Sequence, residues 1–293
     1  MSAPSRAAAP LSPAATEVLA WVAHHRLLSS GQVHRLRAPG ASRRWTLIVL
    51  GDLQQRGLLA HVRAGGARKL WHATALGAKL AADGGLLDHP PKVLAAQEAS
   101  GALQAHTLAV NDVGICFAAA ARERGDELGP LGWRHEVAHP LPGRGRLIAD
   151  ALLTYLLTND QGLSLQYRLL ELDRATQPAE RLAAKLRRYA QLHNATNRHA
   201  EPAWRTWYPA FPGVLVVLDG GDPAVLQRRR RAVLAVCAAS PDLSRTPQVA
   251  ISICLLADLQ AHGPFAPVFL RPGHPDQPAD WLGRSAADQR PQG

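Results

Sequence analysis

Three acidic residues in the middle of the chain have the types and the spacing of a metal-binding group. Glu171 and Asp173 are two positions apart, so on a β-strand their side chains share one face, and Asp150 lies in the preceding strand-like run. Carboxylates held this close repel each other unless a cation neutralises them. Mg²⁺ is commonly bound by one or two carboxylates together with phosphate oxygens. The pattern therefore predicts Mg²⁺-dependent phosphodiester chemistry, with Asp150, Glu171 and Asp173 as catalytic residues and metal ligands.

Two further residues could complete this site. Asp112, on a predicted helix before the strands, could supply a fourth metal ligand, and Lys185, on the predicted helix after them, could act catalytically by stabilising charge on a scissile phosphate. The same spacing also occurs at strand ends where a pair such as Glu171 and Asp173 forms ion pairs with nearby arginines. A nuclease site and a structural or DNA-contacting role both remain open for this part of the chain.

The elements that must position these residues follow from hydrophobic periodicity and turn signals. A helix is predicted first, then three strands joined by turns, and then alternating helices and apolar strands. The predicted ranges are 104–122 (helix), 133–141, 146–157 and 163–173 (strands), 179–193 (helix), 213–218 (strand), 223–239 (helix) and 248–255 (strand). This order predicts a three-layer α/β domain over residues 104–258, within a chain that is α/β overall.

The first third of the chain has a different pattern. Ser12, Ser29 and Ser42 each stand where an N-cap would begin a helix, and Leu47, Leu50 and Leu53 are predicted to face inward on the third helix. Two strand-like runs then flank a glycine-containing turn, as in a hairpin. Three helices followed by a hairpin predict a winged helix-turn-helix over residues 11–88.

This N-terminal segment carries most of the positive charge. The first 90 residues contain eleven Lys and Arg against four Asp and Glu, a net +7 of the whole chain's +10. A basic excess confined to one module indicates that this module binds a polyanion. The start of the third helix and the hairpin are where a winged helix meets duplex DNA, so the predicted DNA contacts are Ser42, Arg43, Arg44, Thr46, Arg63, Arg68 and Lys69. Use of the same module for protein contacts is the alternative.

Composition indicates the character of the tails, the linker and the cysteines. Residues 1–10 and the Pro- and Gly-rich residues 259–293 are predicted to be largely disordered tails, and residues 89–103 a linker. No run approaches the apolar length of a membrane span. The three cysteines lack metal-type spacing, which is typical of buried thiols in a reducing cytoplasm.

The strand and helix order around the carboxylates resembles the PD-(D/E)xK restriction-endonuclease-like fold. In that fold an acidic residue of the second strand and an E-x-K motif on the third bind metal and polarise water. Asp150 and Glu171 match these acidic positions, but Ala149 replaces the preceding proline and Asp173 stands where the lysine belongs. The resemblance therefore implies a nuclease-like domain and leaves its activity in doubt.

The whole chain resembles the replication-relaxation family of actinobacterial plasmids and integrated elements. The resemblance rests on short segments in order along residues 10–240, at positions 27–32, 42–44, 53–58, 73–77, 106–113, 170–176, 185–189 and 211–217. It implies plasmid DNA as the partner, in replication or relaxation. A replication or conjugation complex is a further possibility, as is a homodimer, which would suit a winged helix that reads a two-fold site. A winged-helix transcriptional regulator is an alternative. A tyrosine relaxase is disfavoured because the chain has no His-x-His cluster.

Overall fold

The chain forms two compact units. The structure is a computed structural model that describes residues 10–37, 40, 42–65, 68–85, 87–89, 91–93, 102–159 and 162–285. Contacts divide the chain into Met1–Ile115 and Cys116–Gly293, so the division falls inside one long helix. The predicted linker at 89–103 precedes this division and lies mostly outside the described residues. The division comes later because Asn111 binds the first unit, where its side-chain amide donates to the carbonyl of Leu27 at 2.9 Å.

The first unit contains helices around a small sheet. Its helices are α1 (Pro13–His25), α2 (Ser30–Leu36), α3 (Arg43–Gln55), α4 (Ala75–Asp83) and the first part of α5 (Ala102–Arg124). Its strands are β1 (Leu28–Ser29), β2 (Leu59–Ala64) and β3 (Arg68–Ala73), in the order β1-β3-β2. The predicted helices and hairpin are present, and the short strand β1 and the helix α4 are additional elements that the sequence did not predict.

The first three helices begin at the serine N-caps that the sequence predicted. Ser12 and Ser42 cap α1 and α3, and Ser29 forms a full capping box with Gln32 at the start of α2. The predicted inward face of α3 needs one correction. Leu50 and Leu53 are buried, but Leu47 is 47% exposed, because the helical spacing instead turns Thr46 and Val49 inward.

The second unit is built on one seven-stranded sheet. Its strands are β4 (Trp133–Leu141), β5 (Gly145–Asn159), β6 (Gly162–Asp173), β7 (Gly213–Leu218), β8 (Ile251–Leu255), β9 (Phe269–Arg271) and β10 (His274–Ala279). They lie in the order β10-β9-β8-β7-β6-β5-β4. Strands β6, β7 and β8 are parallel and the other pairings are antiparallel. The predicted strands are thus present in a mixed α/β unit, with short differences at their ends.

Helices cover this sheet. The helices after β6 are α6 (Ala179–Asn194), α7 (Pro223–Ala238), the single-turn α8 (Pro241–Ser244) and α9 (Leu256–His262). A large buried cluster joins Leu186 and Tyr189 of α6 and Leu234 of α7 to strand residues such as Leu169 and Val216. Burial of these apolar side chains fixes α6 against the strands that carry Asp150 and Glu171.

The prediction of a disordered tail over residues 259–293 is wrong up to residue 285. This segment continues α9, forms β9 and β10, and buries Phe269 and Trp281. Apolar anchors spaced among prolines and glycines hold it to the sheet, although composition alone favoured disorder. Residues 286–293 and 1–9 lie outside the described residues, so those parts of the predicted tails stay predictions.

Among the helices that the structure describes, none is both long enough and apolar enough to cross a membrane.

Candidate functional site

Asp150, Glu171 and Lys185 converge in the second unit. The register of β5 and β6 pairs Ala151 with Leu170 and so sets Asp150 opposite Glu171. Lys185 Nζ, from α6, forms an ion pair with Glu171 and lies 3.5 Å from Asp150 Oδ1. Asp150 Oδ2 also accepts a 2.7 Å hydrogen bond from the Leu172 backbone N–H. The predicted catalytic residues Asp150, Glu171 and Lys185 thus share one cluster.

Tyr189 completes the surroundings of Glu171. Its buried hydroxyl donates a hydrogen bond to Glu171 Oε1, one turn along α6 from Lys185. Tyr189 is fully buried on the inward side of α6. Its contact with a carboxylate depends on strand register and could not be found from the sequence. Tyr189 and Lys185 together hold both oxygens of Glu171 in a fixed orientation.

The electrostatics of the cluster are set by burial. Glu171 is only 2% exposed, and this burial, with the neighbouring charge of Asp150, raises its pKa from 4.5 to about 8 despite the opposing effect of Lys185. Burial by itself would lower the pKa of Lys185, but the charges of Glu171 and Asp150 outweigh it and raise that pKa. Burial and the charge of Asp150 thus raise the pKa of Glu171, while the two neighbouring carboxyl groups raise that of Lys185.

We expect Glu171 to make stability depend on pH. Because folding raises the pKa of Glu171, its contribution is fully present below its ordinary value of 4.5 and is lost as the pH rises through about 8. Over that window the free energy of unfolding of the wild-type protein should fall relative to that of Glu171→Gln, by at most about 1.4 kcal/mol per pH unit. Urea unfolding of both proteins at a series of pH values measures this difference. Parallel profiles would contradict the assignment.

Asp173 belongs to a different environment. Its carboxylate pairs with Arg229 of α7, whose Nη2 donates to Oδ1 at 3.0 Å, and it also accepts from the Ala175 backbone. The prediction that Asp173 acts together with Glu171 is therefore wrong, because Asp173 pairs with Arg229 instead. It forms the ion pair of a strand end, although with an arginine from a helix distant in sequence.

Asp112 also differs from its prediction. It lies in the first unit, where its carboxylate pairs with Arg35 and accepts a 3.0 Å hydrogen bond from the amide of Gln32. Within the described part of the chain, no group of three or more His, Cys, Asp or Glu side chains is arranged to hold a metal. The described residues therefore do not show the predicted grouping of four carboxylates, and metal binding by Asp150 and Glu171 stays a prediction.

Glu136 is a neighbour that the sequence did not reveal. The β4–β5 register pairs His135 with Ala151 and Val137 with Ala149, which sets Glu136 opposite Asp150. Glu136 is exposed and has a φ of 52°, a left-handed conformation that is uncommon for residues other than glycine. No local signal marks this residue, because its position depends on strand pairing.

A basic groove lies in the first unit. It has a volume of about 640 Å³ and is bordered by α2, α3 and β3. Four cationic residues line it, and its described lining includes no acidic residue: the cations are Arg35, Arg43, Arg68 and Lys69. Arg35 is paired with Asp112. Lys69 lies 5.5 Å above the ring of Trp71, which also lines the groove. Such a surface attracts a polyanion.

The predicted DNA contacts fall into two groups, those that line this groove and those that lie outside it. Arg43, Arg68 and Lys69 line it, while Arg44 and Arg63 are exposed outside its lining. Ser42 is exposed and caps α3, its Oγ accepting from the Trp45 N–H. The hairpin tip at residues 66–67 lies outside the described residues.

Thr46 differs from its prediction. It is fully buried, with its hydroxyl 3.3 Å from a ring nitrogen of His34, so its prediction as a DNA contact is wrong. Thr46 is adjacent in sequence to the exposed Leu47, and the 100° turn between successive helical residues places it on the buried side of α3.

Comparison with known proteins identifies one family. The sequence profile described as replication-relaxation matches residues 19–203, more than half of the chain. No curated protein and no solved structure matches.

Proposed function

The chain belongs to the replication-relaxation family, and from this premise we propose that it binds duplex DNA in plasmid replication or relaxation. In this proposal residues 11–88 act as a winged helix, with α3 as its recognition helix and the β2–β3 hairpin as its wing. A homodimer on a two-fold site, and a larger replication or conjugation complex, are compatible extensions.

One observation carries the proposal: the basic groove beside the start of α3. A recognition helix enters the major groove with its N-terminal residues against base edges, while flanking cations contact phosphates. Arg43 lies at the first position of α3, and Arg68 and Lys69 begin β3 on the same groove. This combination of helix start, hairpin and positive charge favours duplex DNA over a protein partner, since the described lining holds four cations and no acidic residue, although Arg35 is paired with Asp112 outside the lining.

Direct binding tests this function. The full chain should bind a fluorescently labelled duplex, measured by anisotropy, with an affinity that falls steeply as salt concentration rises because phosphate contacts release counterions. Absence of binding at low salt would overturn the proposal. Binding restricted to a promoter-like site, with no effect on plasmid copy number or topology, would instead favour a transcriptional regulator.

A second candidate function is Mg²⁺-dependent cleavage of DNA by a nuclease-like second unit. The convergence of Asp150, Glu171 and Lys185 favours it, because the lysine missing from the third strand is replaced by one from α6. Asp150 and Glu171 offer two carboxylates, a number that suits Mg²⁺ completed by phosphate oxygens. A bound Mg²⁺ would supply positive charge for the phosphate. Lys185 would stabilise negative charge that develops there.

Plasmid nicking distinguishes this candidate from binding alone. If it is correct, wild-type protein with Mg²⁺ should convert supercoiled plasmid to open circles, EDTA should stop this, and Glu171→Ala should lower the rate at least about 100-fold. Asp173→Asn is the matched control, since Asp173 is on the same strand but pairs with Arg229. Equal loss in both variants, or no nicking by the wild type, would reject the nuclease.

A further inference from the structure

We infer that DNA sequence is read by a single face of α3, formed by Arg43, Leu47 and Gln54 around a gap at Gly51. This inference rests on the proposed DNA-binding function and specifies how the same groove would discriminate between sequences.

The four residues form one stripe along α3. They stand at helical spacings of four, four and three residues, which place side chains above one another on the same face. All four line the basic groove. The neighbouring face of α3 is packed into the core, where Val49, Leu50 and Leu53 are buried. The stripe is therefore the part of α3 that is turned toward a ligand in the groove.

Gly51 is the distinctive member of the stripe. A glycine inside a helix destabilises it, because glycine loses more conformational freedom on folding than alanine does. A Cβ built on Gly51 meets no described atom within 4 Å outside the backbone of its own helix, and its φ is not positive. Neither packing nor backbone geometry therefore requires glycine at this position. The remaining physical use of a missing side chain is close approach of a ligand to the helix backbone.

The flanking side chains have chemistry suited to base edges. An arginine can donate two hydrogen bonds to guanine, a glutamine can pair with adenine, and an apolar side chain contacts the thymine methyl group. Leu47, at 47% exposed, has no role in the core and lies between Arg43 and Gly51 in the stripe. From Arg43 to Gln54 the stripe extends about 16 Å, which is the length of roughly five base pairs.

Selection from a random duplex library tests the inference. The library has a randomised core of about 20 base pairs, long enough for two half-sites, and the full chain is the bait. Wild-type protein should enrich a short motif of no more than about five base pairs per half-site. Gly51→Leu should fold with a raised melting temperature, because leucine favours the helix, and yet bind the motif at least about 10-fold more weakly.

Residues on the adjacent face of α3 provide matched controls. Ile48 is 59% exposed and Gln55 is exposed, but neither lines the groove. Leu47→Ala should relax one position of the motif while Ile48→Ala leaves the motif unchanged. Gln55→Leu places the same leucine side chain beside the stripe, and this variant should bind like the wild type.

The outcomes separate the inference from the function on which it rests. If Gly51→Leu, and Gly51→Ala as a smaller change, select the wild-type motif with unchanged affinity, the reading face is wrong while DNA binding stands. Enrichment of no motif by a wild-type protein that still binds duplex also overturns the reading face alone. Failure of the wild type to bind any duplex overturns both.

Discussion

Replacing Arg43 and Arg44 together with alanine is expected to weaken binding of duplex DNA by about 10- to 100-fold at 0.1 M salt. Both side chains are exposed in the first turn of α3, and Arg43 lines the basic groove. Each cation that neutralises a phosphate contributes about 0.9 to the slope of log affinity against log salt concentration. The slope of the double variant should therefore be shallower by about 0.9 if only one arginine meets a phosphate and by about 1.8 if both do.

Single variants and a charge-matched control refine this result. Arg43→Ala should account for the larger share of the loss, because Arg44 lies outside the groove lining. Arg228→Ala with Arg231→Ala removes the same charge from exposed positions on α7. That control should bind DNA nearly as well as the wild type. An equal loss in both double variants would show that binding follows net charge and would contradict a specific role for α3.

Lys185→Met is expected to destabilise the second unit by about 3 kcal/mol, near the lower end of the cost of breaking a buried ion pair. The change would leave Glu171 buried beside Asp150 without its cation. The raised pKa of Glu171 limits the cost, since that carboxyl can take up a proton instead of remaining charged. Urea unfolding followed by circular dichroism measures the loss.

A double-mutant cycle shows whether the cost arises from the cluster. Combining Lys185→Met with Glu171→Gln removes both charges of the pair, so most of the lost stability should return. Arg181→Met changes an exposed cation on the same helix and should alter stability by less than about 0.5 kcal/mol. If the double variant loses as much free energy of unfolding as the two single variants together, Lys185 and Glu171 do not interact energetically.

The carboxylates show how much of the candidate site could be predicted from spacing in the sequence. Asp150 and Glu171 could be paired from the sequence because strand alternation and short turns set their register closely enough. Asp173 has the same spacing from Glu171, yet its partner Arg229 comes from a helix 56 positions later in the chain. Asp112 was assigned to the wrong neighbours because a helix alone does not say which unit will bury it. Local spacing limits which residues could pair with a carboxylate, and the order of strands and helices in the tertiary structure determines which of them does.

Helix caps, turns and periodicity determined most of the secondary structure up to residue 255 from the sequence, since a serine cap or a glycine turn acts through neighbouring atoms. Tertiary structure decided the rest. Only packing showed that Thr46 is buried and Leu47 exposed, that Lys185 reaches Glu171, and that residues 259–285 are ordered. These outcomes depend on contacts between distant segments, whose energies no short window of sequence contains.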